Sequence, residues 1–168
     1  MLLCALSSSL VTGCRARDVV QERARPEMRL ENVHFRSYRG PTLSSFGEAA
    51  SLVYDRETGD FVAGEAKVVL TPEGAKEVHL SAPTLVGNVP SRAYVGRGGV
   101  LMDRGTDSAR TETARYGADG IVRGDEPIVL LGPGYRLSGP SFTLDPKDGM
   151  LVVKGGARLV AQGEAVRP

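Results

Sequence analysis

The sequence predicts an all-β domain built from many short antiparallel strands. Glycine accounts for 21 of the 168 residues, well above the roughly 7% of an average protein. From residue 30 onward, no stretch keeps a helical period over about eleven residues without a glycine or proline. Turn residues recur instead about every eight to twelve residues, which is typical of an antiparallel sheet or sandwich.

The composition limits the possible classes of function. The net charge is +1, with 21 basic and 20 acidic residues interspersed, so there is no basic surface for nucleic acid. Cys4 and Cys14 both lie near the amino terminus, and the rest of the chain contains no cysteine for a disulfide framework or a cysteine metal site. At 168 residues and 41% hydrophobic content, we expect one domain with a real core.

The amino terminus predicts a cleaved signal over residues 1–13. Residues 2–11 are apolar or small, and this run is shorter than the about 20 residues that span a bilayer. The sequence Val-Thr-Gly-Cys at residues 11–14 resembles the bacterial lipobox, which implies cleavage after Gly13 and a lipid on Cys14. No Lys or Arg precedes the apolar run. The alternative is therefore an ordinary signal or a frayed terminus with an incidental cysteine.

A tether is predicted over residues 14–27. Four arginines alternate there with three acids around a Val-Val pair, and Pro26 would end any transient helix. A basic patch that touches anionic lipid headgroups is the alternative. The remainder, residues 28–168, is predicted to be a single β domain.

Three segments predict hairpins because they share one plan. Residues 52–63, 114–124 and 142–153 each run from a strand end through polar residues to a glycine and then to apolar residues. Gly59, Gly120 and Gly149 would supply the positive φ of these tight turns. Asp145 and Asp148 could instead bind calcium, but the spacing and ligand number of a calcium loop are missing, so we expect a turn.

The segments between the turns predict strands. Val78, Leu80 and Ala82 alternate with polar residues, as in a half-buried strand. Continuous apolar runs at residues 68–70, 128–131 and 151–153 predict strands that are covered on both faces or cross an interior. Further turns are predicted at residues 40–41, 72–74, 87–90, 132–134 and 155–156.

A family resemblance rests on residues 113–153. A strand Pro-Ile-Val-Leu begins at Pro127, a glycine turn follows, and the step Leu-Ser-Gly at residues 137–139 leads to the strand Phe-Thr-Leu-Asp at residues 142–145. This order resembles the LptC family of lipopolysaccharide export components and, more broadly, the OstA-like β fold of LptA. The likeness extends over most of residues 35–161. It implies stacked antiparallel strands in a twisted boat or taco-like pair of sheets with an apolar interior.

The resemblance implies that this interior contacts the acyl chains of a lipid, although each of these side chains could equally serve plain core packing. The inward-facing set is Leu52, Tyr54, Phe61, Val68, Leu70, Val78, Leu80, Ile128, Leu130, Leu137, Phe142, Leu144, Leu151 and Val153.

The resemblance also implies a function and partners. It describes a non-enzymatic periplasmic protein that accepts lipopolysaccharide from an inner-membrane ABC transporter at its amino-terminal edge. An LptA-like protein then receives the lipid at the carboxy-terminal edge. Edge strands are expected around residues 33–38 and 151–161, because unpaired backbone groups recruit a further strand. Many members begin with a transmembrane helix where this chain has a predicted lipid, so the membrane that holds the anchor stays open, although the function favours the inner membrane.

The sequence offers little material for an enzyme. His34 and His79 are the only histidines and lack the spacing of a zinc motif, and His79 is predicted to be an exposed strand residue. The glycines at residues 96–99 lack the Lys-Ser/Thr of a phosphate loop. Asp125 and Glu126 are predicted to form a turn before Pro127. We therefore expect no catalytic site, no metal and no cofactor.

A second hypothesis is a membrane-anchored lipoprotein scaffold with a closed β core that docks other proteins. Open apolar space between the sheets favours the lipid carrier, whereas side chains that fill the interior favour the scaffold.

Overall fold

A computed structural model describes residues 27–161, which form twelve strands with antiparallel neighbours. The predicted signal, Cys14 and the tether up to residue 26 lie outside the described residues. None of the described residues forms a helix, so this part of the chain contains no helix that could cross a membrane. The strands are β1 (Glu27–Arg39), β2 (Thr42–Asp55), β3 (Asp60–Leu70), β4 (Val78–Asn88), β5 (Ala93–Arg104), β6 (Asp107–Tyr116), β7 (Val122–Gly124), β8 (Ile128–Gly132), β9 (Tyr135–Gly139), β10 (Ser141–Leu144), β11 (Leu151–Lys154) and β12 (Arg158–Ala161).

The strand order is a meander that divides into two branches. Strands β1 to β6 pair consecutively. Beyond β6, residues 115–116 pair with β7, whereas residues 108–111 pair with β8. One branch continues through β7, β10 and β11, and the other through β8, β9 and β12.

A row of irregular residues crosses the middle of the first six strands. Asn32 and Glu65 have positive φ values of 53° and 51° although they lie within strands, and Gly98 and Gly99 have values of 83° and 96°. The pairing register shifts on both sides of these glycines. Such bulges bend a strand and increase its twist. We call this row the fold line, and its members are Asn32, Ala50, Glu65, Pro83, Gly98, Gly99 and Glu112.

The fold line divides one continuous sheet into two leaves that face each other. The first leaf contains residues 27–31, 51–55, 60–64, 84–88, 93–97 and 113–116 with β7, β10 and β11. The second leaf contains residues 33–39, 42–48, 66–70, 78–82, 100–104 and 107–111 with β8, β9 and β12. Phe142 and Val122 of the first leaf pack in one core with Ile128 and Val78 of the second. The predicted all-β, taco-like arrangement is confirmed.

The three predicted hairpin turns are present. Gly59, Gly120 and Gly149 have φ values of 77°, 84° and 74°, which glycine adopts without a steric penalty. In the last turn, Asp145 Oδ1 accepts a hydrogen bond from the backbone N–H of residue 147 at 2.9 Å, and Asp148 Oδ1 accepts one from that of residue 150 at 2.7 Å. The two carboxylates stabilise the turn itself, as predicted. The five other predicted breaks each fall within or beside a turn between consecutive strands.

Two sequence predictions need correction. Strands β1 to β6 are 10–14 residues long and not short, because the glycines at residues 98–99 bend a strand and do not end it. The continuous apolar runs predicted strands that are covered on both faces or cross an interior, and the first alternative is wrong because Leu131 and Val152 are 47% and 38% exposed. A single sheet folded on itself has only one inward face, so alternate residues of these runs point outward. His79 is exposed, as predicted.

Candidate functional site

One inward row of side chains runs across every strand of the first leaf. Residues paired directly across neighbouring strands point to the same face. Phe61 and Tyr94 have ring centroids 5.9 Å apart, and Tyr94 and Tyr116 stack at 6.0 Å. Gly87 lies between Phe61 and Tyr94, where a Cβ would come within 2.8 Å and 2.5 Å of their rings. In chain order the row is Met28, Tyr54, Phe61, Gly87, Tyr94, Tyr116, Val122, Leu144 and Leu151.

A matching inward row runs across the second leaf. It contains Phe35, Gly47, Val68, Leu80, Met102, Ala109, Leu130, Leu137 and Leu159. The two rows therefore face each other along the whole length of the molecule, and the size of their side chains decides whether the leaves touch.

The leaves are in contact around β6 to β11 and the adjoining parts of β3 to β5, and we call this end the closed half. Ile128, Val78 and Val122 are each 1% exposed. Phe142 is 2% exposed and lies on Gly124, where a Cβ would come within 2.1 Å of the Phe142 ring. Large side chains thus fill the closed half as in an ordinary protein core.

Toward β1 the leaves separate around a cavity of about 670 Å³, and we call this end the open half. This volume is within the roughly 300–1,000 Å³ range of small-molecule sites. Small residues line part of it, and Ala63 and Ala66 are 1% and 2% exposed. Because these side chains are short, they do not bridge the gap. The larger side chains that line the cavity include Met28, Leu30, Val33, Phe35, Leu52, Tyr54, Phe61, Val68, Leu70, Leu80, Leu85, Tyr94 and Tyr116.

The structure places the predicted interior set around the cavity and in the core. Six of the predicted residues line the cavity: Leu52, Tyr54, Phe61, Val68, Leu70 and Leu80. Of these, Leu70 also belongs to the core, and Val68 and Leu80 pack against it, so they lie where the two halves meet. Seven others belong to or pack against the core of the closed half: Val78, Ile128, Leu130, Phe142, Leu144, Leu151 and Val153. Leu137 is half-buried on the inward row, outside both groups.

Several cavity residues were not among the predicted set. Val33 and Phe35 alternate on β1, and this period of two is a signal that the sequence contains. Tyr94 and Tyr116 are brought beside Phe61 only by strand pairing. Register between strands distant in the chain is not a local property, so no signal in the sequence identifies these two.

The charged groups in the cavity lining are all cationic. Arg36 and Arg92 contribute to the lining, and no Asp or Glu does so. Burial raises the pKa of the Tyr94 and Tyr116 phenols above their usual value, so both stay neutral hydrogen-bond donors at physiological pH. Residues 27–161 contain no group of three or more His, Cys, Asp or Glu side chains that could hold a metal ion.

Three strands lie at the edges of the described sheet. Strand β1 pairs only with β2, β11 with β10, and β12 with β9. All four residues of β12 are exposed, and Leu159, on the inward row, is 65% exposed. The inward apolar surface therefore continues past the closed half to a free edge. Edge strands were predicted at residues 151–161 and 33–38, and β11, β12 and β1 include these residues.

Comparison with known proteins identifies the architecture. No family model matches the chain, and no curated protein matches its sequence. Among solved structures, the chain is similar to LptH of Pseudomonas aeruginosa, described as the LptA-homologous periplasmic component of the conserved lipopolysaccharide transport device. The two share 14% sequence identity with a TM-score of 0.55, over 71% of this chain and 95% of LptH. The chain therefore has the same all-β, folded-sheet architecture as LptH.

Proposed function

We propose that this protein is a non-enzymatic carrier of lipopolysaccharide in the periplasm. The observation that carries the proposal is the 670 Å³ apolar cavity between the leaves. Each methylene group of an acyl chain that leaves water for such a space contributes about 0.8 kcal/mol. The architecture shared with LptH, itself a lipopolysaccharide transport component, supports this choice of ligand.

The proposal extends to the direction of transfer, in the manner of LptC. An inner-membrane ABC transporter delivers the lipid at the β1 edge, and an LptA-like protein extends the sheet at β11 and β12. The free backbone groups of edge strands favour such pairing. The lipid on Cys14 holds the protein at the membrane. Intact-mass measurement of the membrane-extracted protein tests this last part, because an unmodified Cys14 or a retained Met1 would refute it.

Photo-crosslinking tests the carrier function with controls from the same strands. A crosslinking amino acid replaces Phe61 or Leu80, which line the cavity. Val62 and His79, the outward neighbours, serve as controls because both are largely exposed. In a bacterium that makes lipopolysaccharide, we expect capture of lipopolysaccharide at the two inward positions and not at the outward ones. Equal capture at all four positions, or none at the inward ones, would contradict the proposal.

Crosslinkers at the edges test the partners. A crosslinker at Glu31 on β1 is expected to capture the transporter, and one at Val160 on β12 an LptA-like protein. Capture of the same partner at both edges, or the reverse assignment, would overturn the proposed direction.

The closed half supports a second candidate, the scaffold. Its core is packed around Ile128 and Phe142, and that half offers no comparable space for a lipid among the described residues. A protein that captured partners at both edges but no lipid at Phe61 or Leu80 would be a scaffold.

A further inference from the structure

A small crevice opens beside the cavity, at the carboxy-terminal end of β1, where the two leaves approach each other. It has a volume of about 20 Å³, enough for roughly one water molecule. We call it the arginine crevice, and it is lined by Ser37, Arg39, Ser44, Ser45, Arg92, Tyr94, Tyr116, Gly117 and Ala118. Five of these also line the large cavity: Ser37, Ser45, Arg92, Tyr94 and Tyr116. The polar crevice and the apolar cavity therefore adjoin each other and share part of their walls.

The crevice presents hydrogen-bond donors and no anion. Its lining contains two guanidinium groups, three serine hydroxyls and two tyrosine phenols, with no Asp or Glu. One of the hydroxyls, Ser44 Oγ, donates to the Ser37 carbonyl oxygen at 3.0 Å, so the arginines, the phenols and the other two serines are the groups that face a ligand. Burial raises the pKa of both phenols, which keeps them protonated. Arginine forks combined with hydroxyl groups suit the several oxygens of a phosphate.

The arginines around the crevice lack carboxylate partners. Within residues 27–161, neither Arg36, Arg39 nor Arg92 forms an ion pair. The acid near Tyr116, Asp119, is already engaged by Arg123, whose Nη1 lies 3.1 Å from Asp119 Oδ1. In a chain with nearly equal numbers of acids and bases, this leaves a local excess of positive charge.

The backbone around Arg92 is held in an unusual conformation. Arg92 has a φ of 54°, a left-handed conformation that is strained for a residue other than glycine. The turn that contains it is fixed by Asn88, whose Oδ1 accepts a hydrogen bond from the backbone N–H of Ser91 at 2.8 Å. A second bond joins the Arg92 N–H to the carbonyl oxygen of Val89 at 3.3 Å. This turn maintains the guanidinium at the crevice.

We propose that Arg39 and Arg92 bind a phosphate group on the lipid whose acyl chains occupy the cavity. The inference rests on the proposed carrier function. It adds that the phosphate group of the lipid sets the orientation of the lipid in the cavity. The phosphate lies in the large cavity at the mouth of the arginine crevice, where the two spaces share Ser37, Arg92 and Tyr116, and the chains extend from it between the leaves. Charge complementarity and the shared lining of the two spaces together specify a phosphorylated amphiphile.

Equilibrium binding of the full chain to two lipids tests this inference. The first is lipid A with both phosphates, and the second is the same lipid with the phosphates removed and the acyl chains intact. We expect the wild-type protein to bind the phosphorylated lipid at least about tenfold more tightly, the magnitude of one charge-assisted contact. Arg92→Asn should weaken binding of the phosphorylated lipid by about tenfold and thereby remove most of this preference. Asparagine is chosen because it tolerates positive φ.

The controls separate the two proposals. Arg97→Gln removes a positive charge from the outward face of β5 and should not alter the preference. Arg39→Gln repeats the test in case Arg92→Asn impairs folding, which thermal unfolding would show.

Equal binding of both lipids by the wild type would overturn the phosphate site and leave the carrier function intact, whereas binding of neither would overturn both. If inorganic phosphate alone displaced the lipid at equal concentration, or if Arg97→Gln had the same effect as Arg92→Asn, the headgroup assignment would be wrong.

Discussion

The closed and open halves should respond differently to the same loss of side-chain volume. Ile128 is 1% exposed in the core of the closed half, whereas Leu52 is half-buried and lines the cavity. Replacement of either residue by alanine removes three carbon atoms. The two variants are therefore matched in chemistry and differ in surroundings.

The expected magnitudes follow from burial. At about 0.8 kcal/mol per carbon, Ile128→Ala loses about 2.4 kcal/mol of transfer free energy, and the void it leaves raises the total to about 3–4 kcal/mol. Leu52→Ala loses about half of the transfer term, roughly 1.2 kcal/mol, and adds little for a void because its side chain already faces open space. The difference in the free energy of unfolding is about 2 kcal/mol.

Urea denaturation followed by circular dichroism measures this difference directly. In a separate thermal unfolding experiment, the melting temperature of Ile128→Ala should fall by about 10 °C, at roughly 2–4 °C per kcal/mol for a domain of this size. Equal destabilisation by the two variants would refute the division of the interior into a packed end and an open end.

Three further predictions concern the turns and the fold line. Gly149→Ala should destabilise the protein by more than about 1 kcal/mol in urea denaturation, because φ is 74° and the Arg104 guanidinium, which the new Cβ would meet, must move away. Glu65→Asn should stabilise it by up to about 1 kcal/mol in the same assay, since asparagine adopts the φ of 51° more readily than glutamate. The hydrogen bonds from Arg123 lower the pKa of Asp119 from 3.8 to about 2. The pair therefore stabilises the fold above pH 3.8, and the contribution is lost as the pH falls toward 2, which carboxyl NMR titration would follow.

Each of these predictions has a matched control. Gly40 also has a positive φ, of 61°, but no atom lies within 4 Å of a Cβ built there, so Gly40→Ala reports the backbone cost alone. An equal effect of the two glycine variants would contradict the steric argument at Gly149. A loss of stability in Glu65→Asn would show that the fold line does not depend on backbone conformation there. Arg123→Gln should return the pKa of Asp119 toward 3.8, and an unchanged value would rule out the ion pair as its cause.

The turns and the alternating strands were predictable because their signals are local. Gly59, Gly120 and Gly149 each follow polar turn residues, and their positive φ values are confirmed. The fold line was not predictable, since Asn32 and Glu65 lie in strands without the glycine that normally marks a left-handed conformation. The division of the interior was also hidden. Phe61 and Phe142 both look like core residues in the sequence. In the structure, Phe61 lines the cavity together with small residues, whereas Phe142 is surrounded by packed core residues.

The arginines were hidden for a related reason. In the sequence, Arg39 and Arg92 resemble the other basic residues, which are interspersed with acids along the chain. Their significance comes from the folding of the sheet, which brings the end of β1 to the turn between β4 and β5 and leaves no carboxylate in the lining.

The central claim is that acyl chains occupy the space between the leaves of the open half. Methyl NMR of the full chain with a lipid A that carries a nitroxide on one acyl chain tests it most directly, because the nitroxide broadens only nearby methyl signals. The account predicts that the Leu52, Leu85 and Val68 signals broaden most, whereas those of the outward Val62 and the packed Ile128 broaden much less. Broadening of Val62 equal to that of Leu52, or sharp signals throughout the cavity, would contradict the claim.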